Sequence, residues 1–130
     1  MKSTWKGIAL GAVMASVFAA GAAVGARQTG ASRREPQFEN GEVKVWKSII
    51  MPNQPLTLHR HEHGRTIVAL KGGTLDVVDA KGVTMQKMVW ESGKAYWLDA
   101  DVPNTQHADL NKGAAPMEVI VVEMKNDQKK

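Results

Sequence analysis

The sequence predicts an all-β, antiparallel domain, a sandwich or small barrel, preceded by an apolar N-terminal helix. Beyond residue 40, short runs rich in Val, Ile and Thr alternate with Gly, Pro, Asn and Asp about eight times in under 100 residues. No run there has the 3.6-residue apolar period of a helix. The 130 residues amount to one domain, and the first 26 differ in composition from the rest. Cysteine is absent, which excludes disulfides, thiolate metal sites and cysteine nucleophiles.

Residues 7–26 carry no charge and are almost all small or apolar; Lys2 and Lys6 precede them and Arg27 follows. A basic start, an apolar run and a small-residue end form a signal peptide, and Val24-Gly25-Ala26 fits a cleavage site. The run also approaches the roughly 20 residues of a membrane span. Gly7 with Gly11, and Gly21 with Gly25, have the spacing of closely packed membrane helices. Residues 1–26 are therefore expected to direct export to a Gram-negative periplasm, cleaved or kept as an inner-membrane anchor. Residues 27–41, with Gly30, Ser32, Arg33, Arg34 and Pro36, read as a flexible linker.

The net charge of +4 comes from the ends. Residues 1–34 hold five basic side chains and no acid, and residues 125–130 hold three lysines and one aspartate. Residues 35–124 are left with nine basic and twelve acidic side chains, a net of −3. A nucleic-acid surface needs a basic stripe on the folded body, so no nucleic-acid partner is expected.

Within the body, 42–50 is the first strand, closed by Pro52-Asn53-Gln54-Pro55. Residues 56–63 form the second. The runs 66–71 and 74–79 are expected to pair as a hairpin across Gly72-Gly73, whose glycines allow the positive φ of a primed turn. Strands at 83–90, 95–98 and 105–110 follow, separated by Ala80-Lys81-Gly82, Glu91-Ser92-Gly93-Lys94 and a loop through Asp99, Asp101, Pro103 and Asn104. Residues 117–124 make the most continuous apolar run, expected at the sheet centre, and 125–130 are expected to be disordered. So small a domain has a limited core, which favours a homodimer.

Three of the four histidines, His59, His61 and His63, alternate within 56–63. On a strand they share one face, with Leu56 and Leu58 on the other. Neutral imidazole is the commonest metal ligand, and His107 offers a third donor from a later strand. Three such ligands inside a barrel leave coordination positions open for water, oxygen or substrate. The bland alternative is a solvated edge-strand face.

The two stretches resemble the paired motifs of the cupin superfamily. His59 and His61 match the first motif's histidines and Gly72 its glycine, whereas Arg65 stands where the family has a glutamate ligand. Gly93, Pro103, His107 and Asn111 follow the second motif; Pro103 is one place late, and Asn104 replaces the turn glycine. The resemblance covers residues 42–124. It implies an antiparallel jelly-roll barrel with a divalent transition metal (Fe, Mn, Ni, Zn or Cu) on His59, His61 and His107. It also implies a small-molecule ligand, anionic or oxygenated, and the chemistry of an oxygenase or isomerase if the protein is an enzyme. Cupins host many activities, so the catalytic residues are left open.

Arg65 divides three outcomes: it reaches an anionic ligand beside a three-histidine metal; His63 takes the missing ligand's place; or a metal-free barrel binds an acidic molecule through the histidines and Arg65. A surface ion pair, for instance with Glu62, is weighed equally for Arg65. A non-enzymatic binding module and a barrel that has lost its site are the competing functions. Trp46, Trp90, Tyr96 and Trp97 read as core or interface, with pocket lining as the alternative, and Met85, Met88, Met117 and Met124 as core filling. Asp99 and Asp101 read as solvated loop acids, with a base or ligand role as the alternative.

Overall fold

The computed structural model describes residues 30–127; the expected N-terminal helix, and residues 128–130 of the tail, lie outside them. Eight antiparallel strands occur among the described residues: β1 (Arg33–Glu39), β2 (Val43–Ile50), β3 (Arg65–Lys71), β4 (Gly73–Val78), β5 (Thr84–Trp90), β6 (Ala95–Leu98), β7 (Ala108–Asn111) and β8 (Met117–Met124). One sheet has the order β1-β2-β8-β3-β6 and the other β5-β4-β7. The apolar run β8 is the centre of the larger sheet, as its composition predicts.

Alternation directs one face of each sheet inward. Facing positions line up as Trp46, Val121 and Ile67, and one step along as Ser48, Val119 and Ala69. The smaller sheet contributes Leu75 and Trp90, and Leu56 packs in from the loop side. Tyr96 packs against this core, and its hydroxyl accepts a hydrogen bond from the Glu91 amide at 2.9 Å. Trp97 turns outward and is half exposed. At one end the inward rows become polar: Arg65 and Glu123 are register partners one step beyond Ile67 and Val121.

Four expectations change. Residues 56–63 do not form a strand; only His59 bridges to His107, with reciprocal N–H···O bonds of 2.8 Å. Pro52 and Pro55 lack amide hydrogens, and the His59 ring and the Asp101 carboxylate take backbone partners that a ladder would use. The alternating faces therefore fail: Leu56 is buried while Leu58 is exposed.

The expected linker contains β1, an edge strand on β2. Both its faces are largely exposed, so it has no apolar alternation to betray it. Pro36 is tolerated at an edge, and the register slips between Pro36 and Phe38.

Gly72-Gly73 is not a hairpin. β3 and β4 lie in different sheets, and neither glycine has a positive φ. The chain crosses between sheets here against the turn after β5: a Cβ on Gly72 would lie 1.9 Å from the Trp90 carbonyl oxygen.

The start of the tail is also held in place. The Lys125 amide donates to the Glu42 carbonyl, Lys125 Nζ lies 2.9 Å from Glu39 Oε1, and Asp127 binds back to residues 63 and 64. Elsewhere turn chemistry follows the sequence: Gly82 and Gly93 have φ of 79° and 83°, and Asn104 takes the glycine-like φ of 63°.

Candidate metal centre

The bridge that replaces the expected strand brings His59 and His107 side by side. Their ring centroids are 4.4 Å apart, and His61 lies 4.9 Å from His59 and 5.7 Å from His107. One ring nitrogen from each falls within 4.8 Å of the others, and His61 and His107 are buried. Nitrogens sharing an ion at about 2.1 Å sit roughly 3.4 Å apart in tetrahedral geometry, so contraction by up to about 1.4 Å would close the group on one metal.

Each imidazole has a partner on its Nδ1 side. His59 Nδ1–H donates to the Thr57 carbonyl at 2.8 Å, His61 Nδ1–H donates to Glu123 Oε2 at 2.6 Å, and His107 Nδ1 faces Asp101 Oδ2 at 3.4 Å. Those partners favour the tautomer that leaves the Nε2 lone pair free, the arrangement metal-bound histidines adopt. His59 Nε2 is buried and has no hydrogen-bond partner among the described residues. Burial holds His59 neutral, lowering its pKa to about 3, helped by the Arg34 charge. Burial lowers His107 as well, against the opposing fields of Asp109 and Asp101. The neutral His59 imidazole, its buried Nε2 lone pair unpartnered among the described residues, together with two further imidazoles beside it suits a transition-metal cation, and the residues fit that group.

Carboxylates and guanidiniums surround the triad. Asp101 also accepts the His61 amide at 2.6 Å and lies 3.7 Å from Arg65 Nη2. Asp101 is thus part of the site rather than a solvated loop acid. Asp109 enters from β7, its Oδ2 3.7 Å from His59 Nε2 and its Oδ1 3.9 Å from His107 Nε2. Burial pushes its carboxyl pKa up, opposed by the neighbouring histidines and arginines.

Arg65 is buried, donates to the Asp99 carbonyl at 3.0 Å and lines the cavity. The expected alternative of a surface ion pair does not hold. Desolvation would favour the neutral guanidinium, but Asp101, Asp109 and Glu123 oppose that. His63 does not join the triad: its Nδ1 meets Asp127 Oδ1 at 2.7 Å, on the C-terminal segment. The outcome in which His63 replaces the missing ligand is thereby set aside.

A cavity of about 400 Å³ opens between the sheets beside His61 and His107, within the range of small-molecule pockets. Trp46, Ile67, Met88, Trp90, Val119 and Val121 form its apolar wall. Trp46 runs parallel to His61, with 6.0 Å between centroids and 1° between planes. Arg34, from β1, reaches the cavity with its guanidinium 6.0 Å from the Trp46 ring centre and makes no ion pair with a described residue. Asn111 carries no chemistry here: its amide bonds the Ile50 and Ala115 carbonyls and the Gly113 amide, joining two loops.

Sequence reasoning missed Asp109, Glu123 and Arg34. Alternation held the signal for the first two, because Asp109 is two residues from His107 and Glu123 continues the inward row Val119, Val121. Arg34 had none, since its strand is solvated.

This architecture, two antiparallel sheets around a histidine-lined cavity, is that of a cupin-type domain. No family model and no curated protein matches the chain. Solved structures share the fold. A cupin domain from Bordetella pertussis Tohama I has a TM-score of 0.62 at 19% identity, covering 76% of this chain and 98% of that one. A Klebsiella pneumoniae protein with a double-stranded β-helix domain gives 0.54 at 19%, covering 79% and 84%. An RmlC-like cupin protein from Desulfovibrio desulfuricans gives 0.53 at 19%, covering 78% and 91%. At such identities the likeness concerns the fold alone.

Proposed function

We propose that the protein binds one divalent transition metal through His59, His61 and His107 and presents it to a small anionic or oxygenated molecule in the adjoining cavity. One observation carries the reading: three imidazoles, each partnered on the Nδ1 side, converge, and the Nε2 of His59 is buried without a partner. A cation satisfies such an acceptor cluster better than water does. Bound there, a metal would supply Lewis acidity or oxygen activation, the basis for oxygenase or isomerase chemistry. His61 would be oriented by Glu123, and His107 by Asp101.

Charge supports an anionic ligand. Arg34 and Arg65 stand against Asp101, Asp109 and Glu123, so a dication leaves one positive charge that a monoanion neutralises. Arg34 is free to meet such a ligand, whereas Arg65 already holds Asp99 and Asp101. This guanidinium, without an ion pair among the described residues, also favours a second reading, a non-enzymatic binding module that captures an acidic molecule without turnover.

Metal analysis of the untagged domain decides the core of the proposal. Near-stoichiometric metal that is lost in His61→Ala supports it; a metal-free wild type that gains no thermal stability from added Zn²⁺, Mn²⁺ or Fe²⁺ overturns it. Export rests on residues 1–26 and is checked by the N-terminal mass of the protein recovered from periplasmic and membrane fractions. A homodimer is part of the same proposal, supported by the exposed Met85 and Val89 of edge strand β5. Light scattering at micromolar concentration tests it.

A further inference from the structure

We infer that Asp109 is the fourth protein ligand of the metal, supplying from the smaller sheet the carboxylate that Arg65 displaces from the larger one. The inference rests on the metal reading above and adds to it a specific coordination set, three imidazole nitrogens and one carboxylate oxygen.

The placement follows from strand geometry. His107 and Asp109 are two residues apart on the chain entering β7, so both point into the barrel. Asp109 pairs with Val77, which in turn pairs with Gln86 on the next strand, and all three line the cavity. Position 109 therefore faces the triad from the sheet opposite Arg65 and Glu123.

The contacts of Asp109 identify what is missing between them. Its two oxygens lie 3.7 and 3.9 Å from the Nε2 atoms of His59 and His107. These distances exceed a hydrogen bond but come within a few tenths of an ångström of the roughly 3.4 Å between two ligands of one tetrahedral ion. The His59 atom facing the carboxylate is a bare lone pair, because the ring's proton is on Nδ1 and bonded to the Thr57 carbonyl. Lone pair against carboxylate is repulsive, and no hydrogen bond from a described residue reaches the Asp109 carboxylate. A cation placed between these groups turns the repulsion into coordination. Asp101 and Glu123 differ in this respect: both engage Nδ1 sides, from which they orient the rings.

Arg65 fits the same scheme. Its guanidinium occupies the larger sheet beside Glu123 and Asp101, where it compensates outer carboxylates and leaves the inner one to the metal. The resulting N3O set, with open positions toward the cavity, suits Zn²⁺, Fe²⁺ or Mn²⁺.

The test uses Co²⁺ as the probe, with affinity measured by chelator competition and coordination read from the visible spectrum. We expect the isosteric Asp109→Asn to weaken Co²⁺ binding by more than about 100-fold, beyond the 10–100-fold typical of an outer partner, and to shift the d–d bands. Asp101→Asn should stay within that outer range with band positions unchanged. Asp109→Cys provides a second readout: a thiolate at position 109 should add a sulfur-to-cobalt charge-transfer band in the near ultraviolet. An Asp109→Asn protein with wild-type affinity and spectrum, or an Asp109→Cys protein without the new band, overturns Asp109 as a ligand while the three-histidine site stands. A wild type that binds no Co²⁺ overturns both readings.

Discussion

His61 Nδ1 and Glu123 Oε2 lie 2.6 Å apart although 62 residues separate them in the chain. The bond ties the loop that carries two candidate ligands to β8, the central strand of the larger sheet. It favours the His61 tautomer with the proton on Nδ1 and aims Nε2 at the candidate site, so Glu123 would orient a metal ligand without itself touching a metal. Removing the carboxylate in Glu123→Ala is expected to weaken Zn²⁺ binding by about 10–100-fold while the triad stays intact. Chelator competition on the folded variant measures this.

Arg65→Glu should separate stability from affinity. The substitution puts a fourth carboxylate beside Asp101, Glu123 and Asp109 and removes the charge that compensates Asp101. Breaking such a buried pair costs about 3–5 kcal/mol, so the metal-free variant should melt well below wild type. A dication relieves the same repulsion, so added Zn²⁺ should raise the variant's Tm by more than it raises that of wild type. Thermal scans of both proteins with and without metal check this.

The pH response of the metal-free protein has a definite sign. His59 stays neutral in the fold down to about pH 3 but takes a proton near 6.5 when unfolded. Between these values the unfolded chain binds more protons, so the His59 contribution to stability is present above pH 6.5 and is lost as pH falls toward 3. Asp109, with its raised pKa, acts in the opposite direction above its ordinary carboxylate value. The measurement is therefore the difference in urea stability between wild type and His59→Gln, which should fall steadily from pH 6.5 to 4.

Gly72 and Gly64 should differ in their tolerance of alanine. A Cβ at Gly72 meets backbone, the Trp90 carbonyl at 1.9 Å and the Ser92 amide at 2.7 Å, where the chain crosses between sheets. Gly72→Ala is expected to cost about 3 kcal/mol or more, at the upper end of overpacking penalties. At Gly64 the first obstacle is the Trp97 ring at 2.3 Å, a half-exposed side chain held by one hydrogen bond from its indole N–H to Asp99 Oδ1 rather than by backbone packing. Gly64→Ala should cost less, as urea titrations of the two variants will show.

His63→Ala should leave metal stoichiometry and affinity at the wild-type level, because His63 is paired with Asp127 and stands apart from the triad. A loss of metal in this variant would contradict the placement of that side chain.

The sequence alone determined the fold class and the three converging histidines. Both follow from local information: apolar runs of strand length between turn residues, and histidines in two motifs whose order and spacing resemble the cupin pattern. Local chemistry also set individual turns, as Gly82, Gly93 and Asn104 illustrate with their positive φ. What long-range pairing controls was not legible. β1 exists because β2 offers an edge, and its own residues are too polar to announce it. Gly72-Gly73 reads as a hairpin locally, yet the flanking strands find better partners in opposite sheets. The histidine segment alternates like a strand, but Pro52, Pro55 and the side-chain bonds of His59 and Asp101 keep it from building a ladder. Only the tertiary structure placed Glu123, Asp101, Asp109 and Arg34 around the triad and sent His63 away from it. The partners of His61, His63, Arg65 and His107 lie on other segments of the chain, and a strand's alternation tells which side a residue faces without telling what it will meet there.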